Sequence, residues 1–497
     1  MYNYIYNKMS KGNLTNMQFN SYIFIMAFLP LFIVTYYTLS KINPVFGKIA
    51  LVIGSIIFYT YSGWKIAVIL GISILINYGT AIIISRFTPQ RKMLLFINSI
   101  FNIGILLYFK YFNFFITNIN SLFSKEIPLK EIVLPLGISF FTFQQIMYVV
   151  NISKGEISLN LLDYLAYILY FPKILMGPLS EPKEFIAQLN DSNLKQVNWD
   201  NIACGIKTFS FGLFKKLVLA DTFAIAVNWG YSNFESATSM DWILVMLFYT
   251  FEIYFDFSGY TDMAVGISSM LNIQLPINFD SPYKAISIRD FWKRWHISLT
   301  GFFTRYIYIP LGGSKKGRFR TYFNTMLVFF ISGIWHGANW TFILWGILHG
   351  ALSVFDRIFE KQQQKLSIVV RWHLTFFAVN ILWLLFRSDS IMQWIIILKQ
   401  IFSFQNMAVS DGLINSFILP ETAFLLKMLH LRRIDELVKG LSMLLFILAG
   451  YGLCLIPENN YKNFKKNNWF SLLTASIAFV WSFLCLSSES VFVYFNF

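Results

Sequence analysis

Thirteen apolar runs recur along almost the whole chain, and they constrain its fold more than any other feature. They lie at Tyr22–Leu39, Ile49–Tyr61, Ile66–Ile84, Met93–Phe109, Ile132–Val150, Leu161–Met176, Ile202–Val227, Trp242–Phe257, Tyr322–Trp335, Trp340–Phe355, Trp372–Phe386, Leu441–Ile456 and Phe470–Leu486. One soluble core cannot bury so many. Hydrophobic residues make up 56% of the chain and charged residues 13%, against roughly 25% charged in soluble domains. Too few charges remain to clothe a water-facing surface. Composition also excludes disordered and collagen-like classes, and three Cys exclude a disulfide scaffold. The expectation is an all-α, polytopic integral membrane protein whose solvent is largely lipid. A full span needs about 20 residues. Several runs are shorter, and these are expected as tilted or re-entrant half-helices buried in protein. The count expected is about 11 to 13 membrane segments, with no soluble domain and no internal repeat. Met1–Gln18 is polar and carries Lys8 and Lys11 ahead of the first run. With Pro30 interrupting the run and no small-residue cleavage site after it, the run reads as a retained first span or a re-entrant segment rather than a signal peptide. Phe404–Gly440 is amphipathic in pieces and is expected along the interface.

The formal net charge is +15. In a soluble protein that would raise nucleic-acid binding; here it reads as basic loops against an anionic cytoplasmic leaflet, so lipids are the expected partner and no nucleic acid is. The densest basic stretch runs from Lys284 to Arg320 with Asp290 as its only acid, which makes it cytoplasmic. The next run would then climb outward, turn at His336–Asn339, and return as Trp340–Phe355 to a second basic stretch bearing Arg357, Lys361, Lys365 and Arg371. His336 would sit about 24 Å of helix from Arg320.

An ionisable group inside a membrane segment is a functional candidate by default. Of five histidines, His336 stands out, in Ser332-Gly-Ile-Trp-His-Gly-Ala-Asn-Trp340. Its flanking glycines permit close approach, Trp335 and Trp340 can wall a dry pocket, and Asn339 is a hydrogen-bond candidate. A neutral imidazole suits general-base work on a hydroxyl. The competing reading is a histidine that caps a helix turn. His296, in Ile288-Arg-Asp-Phe-Trp-Lys-Arg-Trp-His296, reads on local sequence as part of an interfacial amphipathic helix anchored by Trp292 and Trp295. His349 and His373 read as structural residues near helix ends, and the His430/Asp435 spacing reads as a chance match to a soluble-headed acyltransferase dyad. Asp256 follows Glu252 at i, i+4, so both carboxylates share a helix face; arginines such as Arg305 or Arg387 are the expected partners. Cys204, Cys454 and Cys485 have no metal-ligand spacing, and no metal site, P-loop, dinucleotide fingerprint or nucleophile elbow is present.

Eight stretches, in order, carry a resemblance. They are Leu136-Gly-Ile-Ser-Phe-Phe-Thr-Phe-Gln144, Phe171-Pro…Gly177-Pro178, Gly212-Leu-Phe-Lys-Lys-Leu-Val-Leu-Ala-Asp221, Tyr254-Phe-Asp-Phe-Ser-Gly-Tyr-Thr-Asp-Met-Ala264, Phe291-Trp-Lys-Arg-Trp-His-Ile-Ser-Leu299, Tyr306-Ile-Tyr-Ile-Pro-Leu-Gly-Gly313, Ser332-Gly-Ile-Trp-His-Gly-Ala338 and Leu385-Phe-Arg387. Together they resemble the membrane-bound O-acyltransferase family, in its bacterial alginate/peptidoglycan O-acetyltransferase branch. They cover about residues 134–390, flanked by N-terminal helices over 1–130 and C-terminal helices over 391–497, all in one membrane-embedded domain.

The resemblance implies a ring of tilted helices around a central tunnel. It places the family's invariant histidine on His336 and its second histidine on His296, the latter on the cytoplasmic side. It also implies transfer of an acetyl group from a cytoplasmic acyl thioester, such as acetyl-CoA, across the cytoplasmic membrane for O-acetylation of a cell-envelope polysaccharide. Peptidoglycan is the first acceptor considered, with alginate, another exopolysaccharide, or D-alanyl transfer to teichoic acid as alternatives. A separate extracytoplasmic O-acetyltransferase subunit is the expected partner, and no bound cofactor is expected. Trp335, Asn339, Arg294, Arg305, Asp256 and Gln144 are the candidates for lining the site or holding the donor, with Arg294 and Arg305 assigned to donor phosphates. A transporter or scaffold without chemistry is the competing class; it would tolerate loss of His336.

Overall fold

A computed structural model describes residues 17–61, 63–87, 89–419, 428, 435–456, 468–487 and 492. All thirteen apolar runs contain helix, although residues 132–137 at the head of one run are not helical. Among the described residues, six helices are long and apolar enough to cross a membrane: Phe24–Ile42, Trp64–Arg86, Arg91–Phe123, Trp340–Ile358, Ile368–Arg387 and Val438–Leu455. Shorter apolar helices accompany them at Pro44–Thr60, Ile391–Ser403 and Trp469–Leu484. The only β-pairing among the described residues is one isolated bridge, Phe279 with Trp295. The chain is a polytopic all-α membrane protein.

Exposure follows lipid rather than water. In the Trp64–Arg86 helix, Val68, Ile72, Leu75 and Ile76 are exposed, whereas Ser73 and Asn77 are buried. That order is expected where the outer solvent is as apolar as leucine and polar groups must find partners inside.

The chain divides into two compact units. The first comprises Met1–Phe209 and Met263–Pro276. Pro30 does not interrupt its first run. It occupies the second position of the Leu29–Ile42 helix, which follows the π-helical turn Phe24–Phe28 without a break. Asn77 accepts hydrogen bonds from the amides of Asn98 (2.9 Å) and Asn102 (2.7 Å), joining two spans by a buried amide cluster. The Leu161–Met176 run breaks at Tyr170 into Leu161–Leu169 and Phe171–Ile174, both too short to span. Gly137 holds a positive φ of 74° beneath this break. A β-carbon there would come within 2.5 Å of the Ile174 carbonyl oxygen, so only glycine fits. Lys173 is fully buried in the same break. Its ammonium lies 3.5 Å from the Tyr167 ring centroid and donates to Ser180 Oγ at 3.0 Å, which replaces a carboxylate partner with a π-face and a hydroxyl.

The second unit comprises Ser210–Asp262 and Ile277–Phe497. It contains the short helices Ile288–Arg294 and Ile297–Phe303 in the basic stretch, then Arg318–His336, Trp340–Ile358 and Ile368–Arg387. Two successive helices joined by the polar turn appear as expected: one helix ends at His336 and the next begins at Trp340. These two helices pack directly on one another. Gly333 and Gly346 form the crossing, where a β-carbon on either would strike backbone of the other helix. Small residues let helix backbones approach closely in lipid, and here they fix the height of everything after Gly333.

Candidate functional site

His336 is the last residue of its helix and is 4% exposed. Three aromatic rings meet its imidazole edge-on: Trp335 at 4.8 Å between centroids, Trp345 at 5.1 Å and Phe386 at 5.2 Å. Trp340, read from sequence as the second wall, is instead 54% exposed. The wall is Trp345, which the crossing at Gly346 brings inward. Such an enclosure is apolar, and a low-dielectric setting strengthens any polar interaction made within it.

His296 is held in place by its backbone. It carries a positive φ of 46° and caps the Ile297–Phe303 helix, a conformation uncommon outside glycine and tolerated by Asn, Asp and His. Asn278 secures the turn: its carbonyl accepts from Ile297 N (3.0 Å) and its side-chain oxygen from Ser298 Oγ (2.6 Å). Next to it, Asp280 N donates to the Arg294 carbonyl at 3.0 Å. The expected continuous amphipathic helix is therefore broken at His296, and the break turns the imidazole inward. The ring is 1% exposed, 4.7 Å from Phe257 and 6.3 Å from Trp335. It lies outside the six candidate spans, and burial pushes its imidazole from the ordinary 6.5 down to about 3, so it is neutral at physiological pH. Both candidate histidines thus contact one indole, Trp335. The two residues are 40 positions apart in sequence and are joined through this one ring.

The other candidates divide sharply. Asn339 is engaged away from the imidazole. Its side-chain oxygen accepts from Thr341 N (3.2 Å) as an N-cap, and its amide donates to the Asp389 carbonyl (2.9 Å). An Asn immediately before an apolar helical run is the ordinary N-cap signature, so this role was legible. Arg294 is engaged with Asp290 (2.9 Å) and the Asp280 carbonyl (3.3 Å). Arg305 is exposed. With Lys293, Thr300, Thr304 and Trp292 it lines an open groove of about 380 Å³. Gln144 belongs to the first unit, is fully buried, and neither polar atom of its amide has a hydrogen-bond partner among the described residues.

Asp256 has a lysine rather than an arginine as its partner. Lys216 Nζ lies 2.7 Å from Asp256 and 2.9 Å from Asp221, and Lys215 lies 2.6 Å from Asp262. Lys216 and Asp256 are at most 1% exposed. The two lysines sit in a π-helical segment, Lys215–Ala220, that continues the Trp199–Phe214 helix. Adjacent lysines inside an apolar run are the signal that points to them. Arg387 lies over the Tyr231 ring at 4.4 Å and donates to Asn228 at 3.1 Å.

His349 lies in mid-helix rather than near a helix end, and it is fully buried. Its Nδ1 accepts a hydrogen bond from the Trp292 indole N–H at 3.2 Å, and its ring contacts Trp345 at 4.7 Å. Trp345 is therefore in contact with both His336 and His349. No local sequence signal joins Trp292 to His349. His373 is exposed and bonded to the Val369 carbonyl, while His430 lies outside the described residues. Among the described residues, no three of His, Cys, Asp or Glu converge as metal ligands.

Comparison with known proteins identifies the family. The model of the membrane-bound O-acyltransferase family matches residues 157–391, a span that includes both histidines. The chain is 36% identical to a peptidoglycan O-acetyltransferase of Helicobacter pylori over 96% of its own length and 97% of the relative's. The chain belongs to the membrane-bound O-acyltransferase family. As a member of that family it is an O-acyltransferase, and the transporter or scaffold reading gives way. Within the family it is also 33% identical to a probable alginate O-acetylase of Pseudomonas putida, over 80% of this chain and 82% of the relative. It is 29% identical to a teichoic acid D-alanyltransferase of Bacillus subtilis, over 51% of this chain and 70% of the relative.

Proposed function

We propose that this O-acyltransferase moves an acetyl group from a cytoplasmic acyl thioester, acetyl-CoA first among them, across the cytoplasmic membrane for O-acetylation of peptidoglycan. The observation that carries the reading is the convergence of His296 and His336 on Trp335 within a buried aromatic enclosure. The acceptor rests on the near end-to-end similarity to the peptidoglycan O-acetyltransferase. The alginate and teichoic-acid relatives match less of the chain.

His336 acts as the general base. It takes the proton of the attacking hydroxyl as the oxygen–carbonyl bond forms, and the thioester C–S bond breaks with the proton passing to the leaving thiolate. General-base help of this kind contributes about 10² to 10⁴-fold. Exclusion of water by the Trp335, Trp345 and Phe386 rings favours transfer over hydrolysis. His296, kept neutral by burial, orients the acyl group on the cytoplasmic side. The groove bearing Lys293 and Arg305 holds the donor's phosphates. The attacking hydroxyl belongs to a separate extracytoplasmic transferase; a glycan hydroxyl then attacks the carbonyl of the ester so formed, and the transferase hydroxyl leaves with its proton restored.

The test uses membrane vesicles containing the full chain and acetyl-CoA labelled in the acetyl group. Wild-type protein transfers label to the acceptor fraction, and His336→Ala and His296→Ala lose that transfer. Unchanged transfer by His336→Ala removes the proposed base. A requirement for a loaded carrier protein selects the D-alanyl reading. Acetylated alginate or another exopolysaccharide, lost in a deletion strain with peptidoglycan unchanged, replaces the proposed acceptor.

A further inference from the structure

We propose that His349 is a positioning residue for the transfer. It holds Trp292 in the wall of the cationic groove and packs Trp345, the same ring that contacts His336. The inference rests on the acyl-transfer reading above and assigns to that site a residue on a different face of Trp345's contacts.

The direction of the Trp292–His349 hydrogen bond follows from chemistry. An indole nitrogen only donates. Its partner at 3.2 Å is Nδ1 of His349, so Nδ1 is unprotonated and the proton of the neutral ring is on Nε2. One tautomer and one ring orientation are thereby selected. His349 Nε2 is itself buried with no hydrogen-bond partner among the described residues. A phenylalanine would fill the same space without burying a polar nitrogen. Keeping an imidazole here therefore calls for a reason beyond packing, and the Trp292 bond supplies one.

Geometry ties this bond to both ends of the reaction. Trp345 and His349 are four residues apart on the Trp340–Ile358 helix and so share a face. Their rings are 4.7 Å apart, and Trp345 reaches on to His336 at 5.1 Å. Trp292 contacts both rings, His349 at 5.0 Å and Trp345 at 5.6 Å, and it lines the groove with Lys293 and Arg305. The helix carrying Trp345 and His349 is packed closely, because Gly346 lies against the backbone at Gly333. Loss of the Nδ1 acceptor therefore leaves a buried indole N–H that must turn toward the groove to find a partner. That movement reshapes the donor site and withdraws support from Trp345.

A double-mutant cycle tests this in vesicles with labelled acetyl-CoA, expressed per folded molecule. Trp292→Phe and His349→Phe each lower kcat/KM about tenfold, mainly through KM for acetyl-CoA, and the double variant is no worse than the poorer single one. His349→Asn places an oxygen near the position of Nδ1 and restores most of the loss; His349→Gln, whose polar atoms reach the Nε2 position, does not. A residue that merely packs would lower the folded yield while leaving KM and the Asn/Gln distinction unmoved. Independent, multiplicative effects of the two substitutions overturn the proposal. If His349→Phe does not accumulate, Trp292→Phe decides alone, and an unchanged KM overturns it. His336→Ala is run alongside. If that variant still transfers label, the acyl-transfer reading has failed; if it is inactive and the cycle is multiplicative, only the positioning role has.

Discussion

Gly333 and Gly346 meet backbone to backbone: a β-carbon on Gly333 would strike the Phe342 carbonyl oxygen, and one on Gly346 would strike that of Phe329. The crossing sets Trp345 against His336, so it is as much a part of the site as the rings themselves. Gly346→Ala is expected to destabilise the protein by about 1–3 kcal/mol, the usual range for overpacking, and to lower transfer by more than the loss of folded protein accounts for. Thermal unfolding in detergent and transfer per folded molecule check both parts. Full activity in a stably folded Gly346→Ala protein would separate the crossing from the site.

The Lys216 ammonium, 2.7 Å from Asp256 and 2.9 Å from Asp221, is the cation for two carboxylates in an apolar setting. Removing one partner of a buried ion pair costs about 3–5 kcal/mol because the charge left behind has nothing to meet it. Lys216→Met is expected to be barely stable. Adding Asp256→Asn to it recovers part of the loss, since one uncompensated charge disappears. The comparison is of unfolding midpoints for the wild type, the singles and the double variant. A double variant less stable than Lys216→Met would contradict the assignment of Asp256 as the pair's main acid.

Much of this arrangement is readable in the chain. Apolar runs mark the long helices because lipid demands continuous apolar surface, whereas short helices such as Pro182–Asn190 and Ile288–Arg294 fall outside them. His336 is readable because few titratable groups survive inside such runs. What local pattern cannot supply is long-range partnership. Trp292 and His349 are 57 positions apart, and Asp256 takes its lysine from 40 positions upstream. A helical period shows which residues share a face and says nothing about what that face meets. His349 therefore reads as an ordinary structural histidine until the neighbouring helix is in place. His296 reads as one more residue of an amphipathic helix, because the left-handed turn that redirects it is imposed by Asn278 on a separate segment.

Asn339 caps the Trp340–Ile358 helix and ties the turn after His336 to the Asp389 carbonyl. If capping is its work, Asn339→Asp and Asn339→Ser keep the side-chain oxygen and retain most of the activity. Asn339→Ala loses about 1 kcal/mol of stability and a modest share of transfer. If Asn339 instead served the imidazole directly, Asn339→Ser and Asn339→Ala would both be severely inactive. Transfer assays and unfolding midpoints on the three variants separate the outcomes.

Burial of neutral His296 also leaves a mark on the pH dependence of stability. Its imidazole falls from the ordinary 6.5 to about 3 in the folded protein, so between those values the unfolded chain binds a proton that the folded one does not. Stability must then rise with pH across that window. The contribution is complete above pH 6.5 and is lost as pH falls toward 3, at about 1.4 kcal/mol for each pH unit once well below 6.5. His296→Asn tests this cleanly. Asn does not titrate, and it tolerates the left-handed backbone at this position. Between pH 7.5 and 5, the wild-type unfolding midpoint in detergent is expected to drop further than that of His296→Asn, and the two should run parallel above pH 7. Parallel curves through the whole acid range would mean that this imidazole can reach water or a proton donor in the folded protein, and the sealed setting around Phe257 and Trp335 would have to be abandoned.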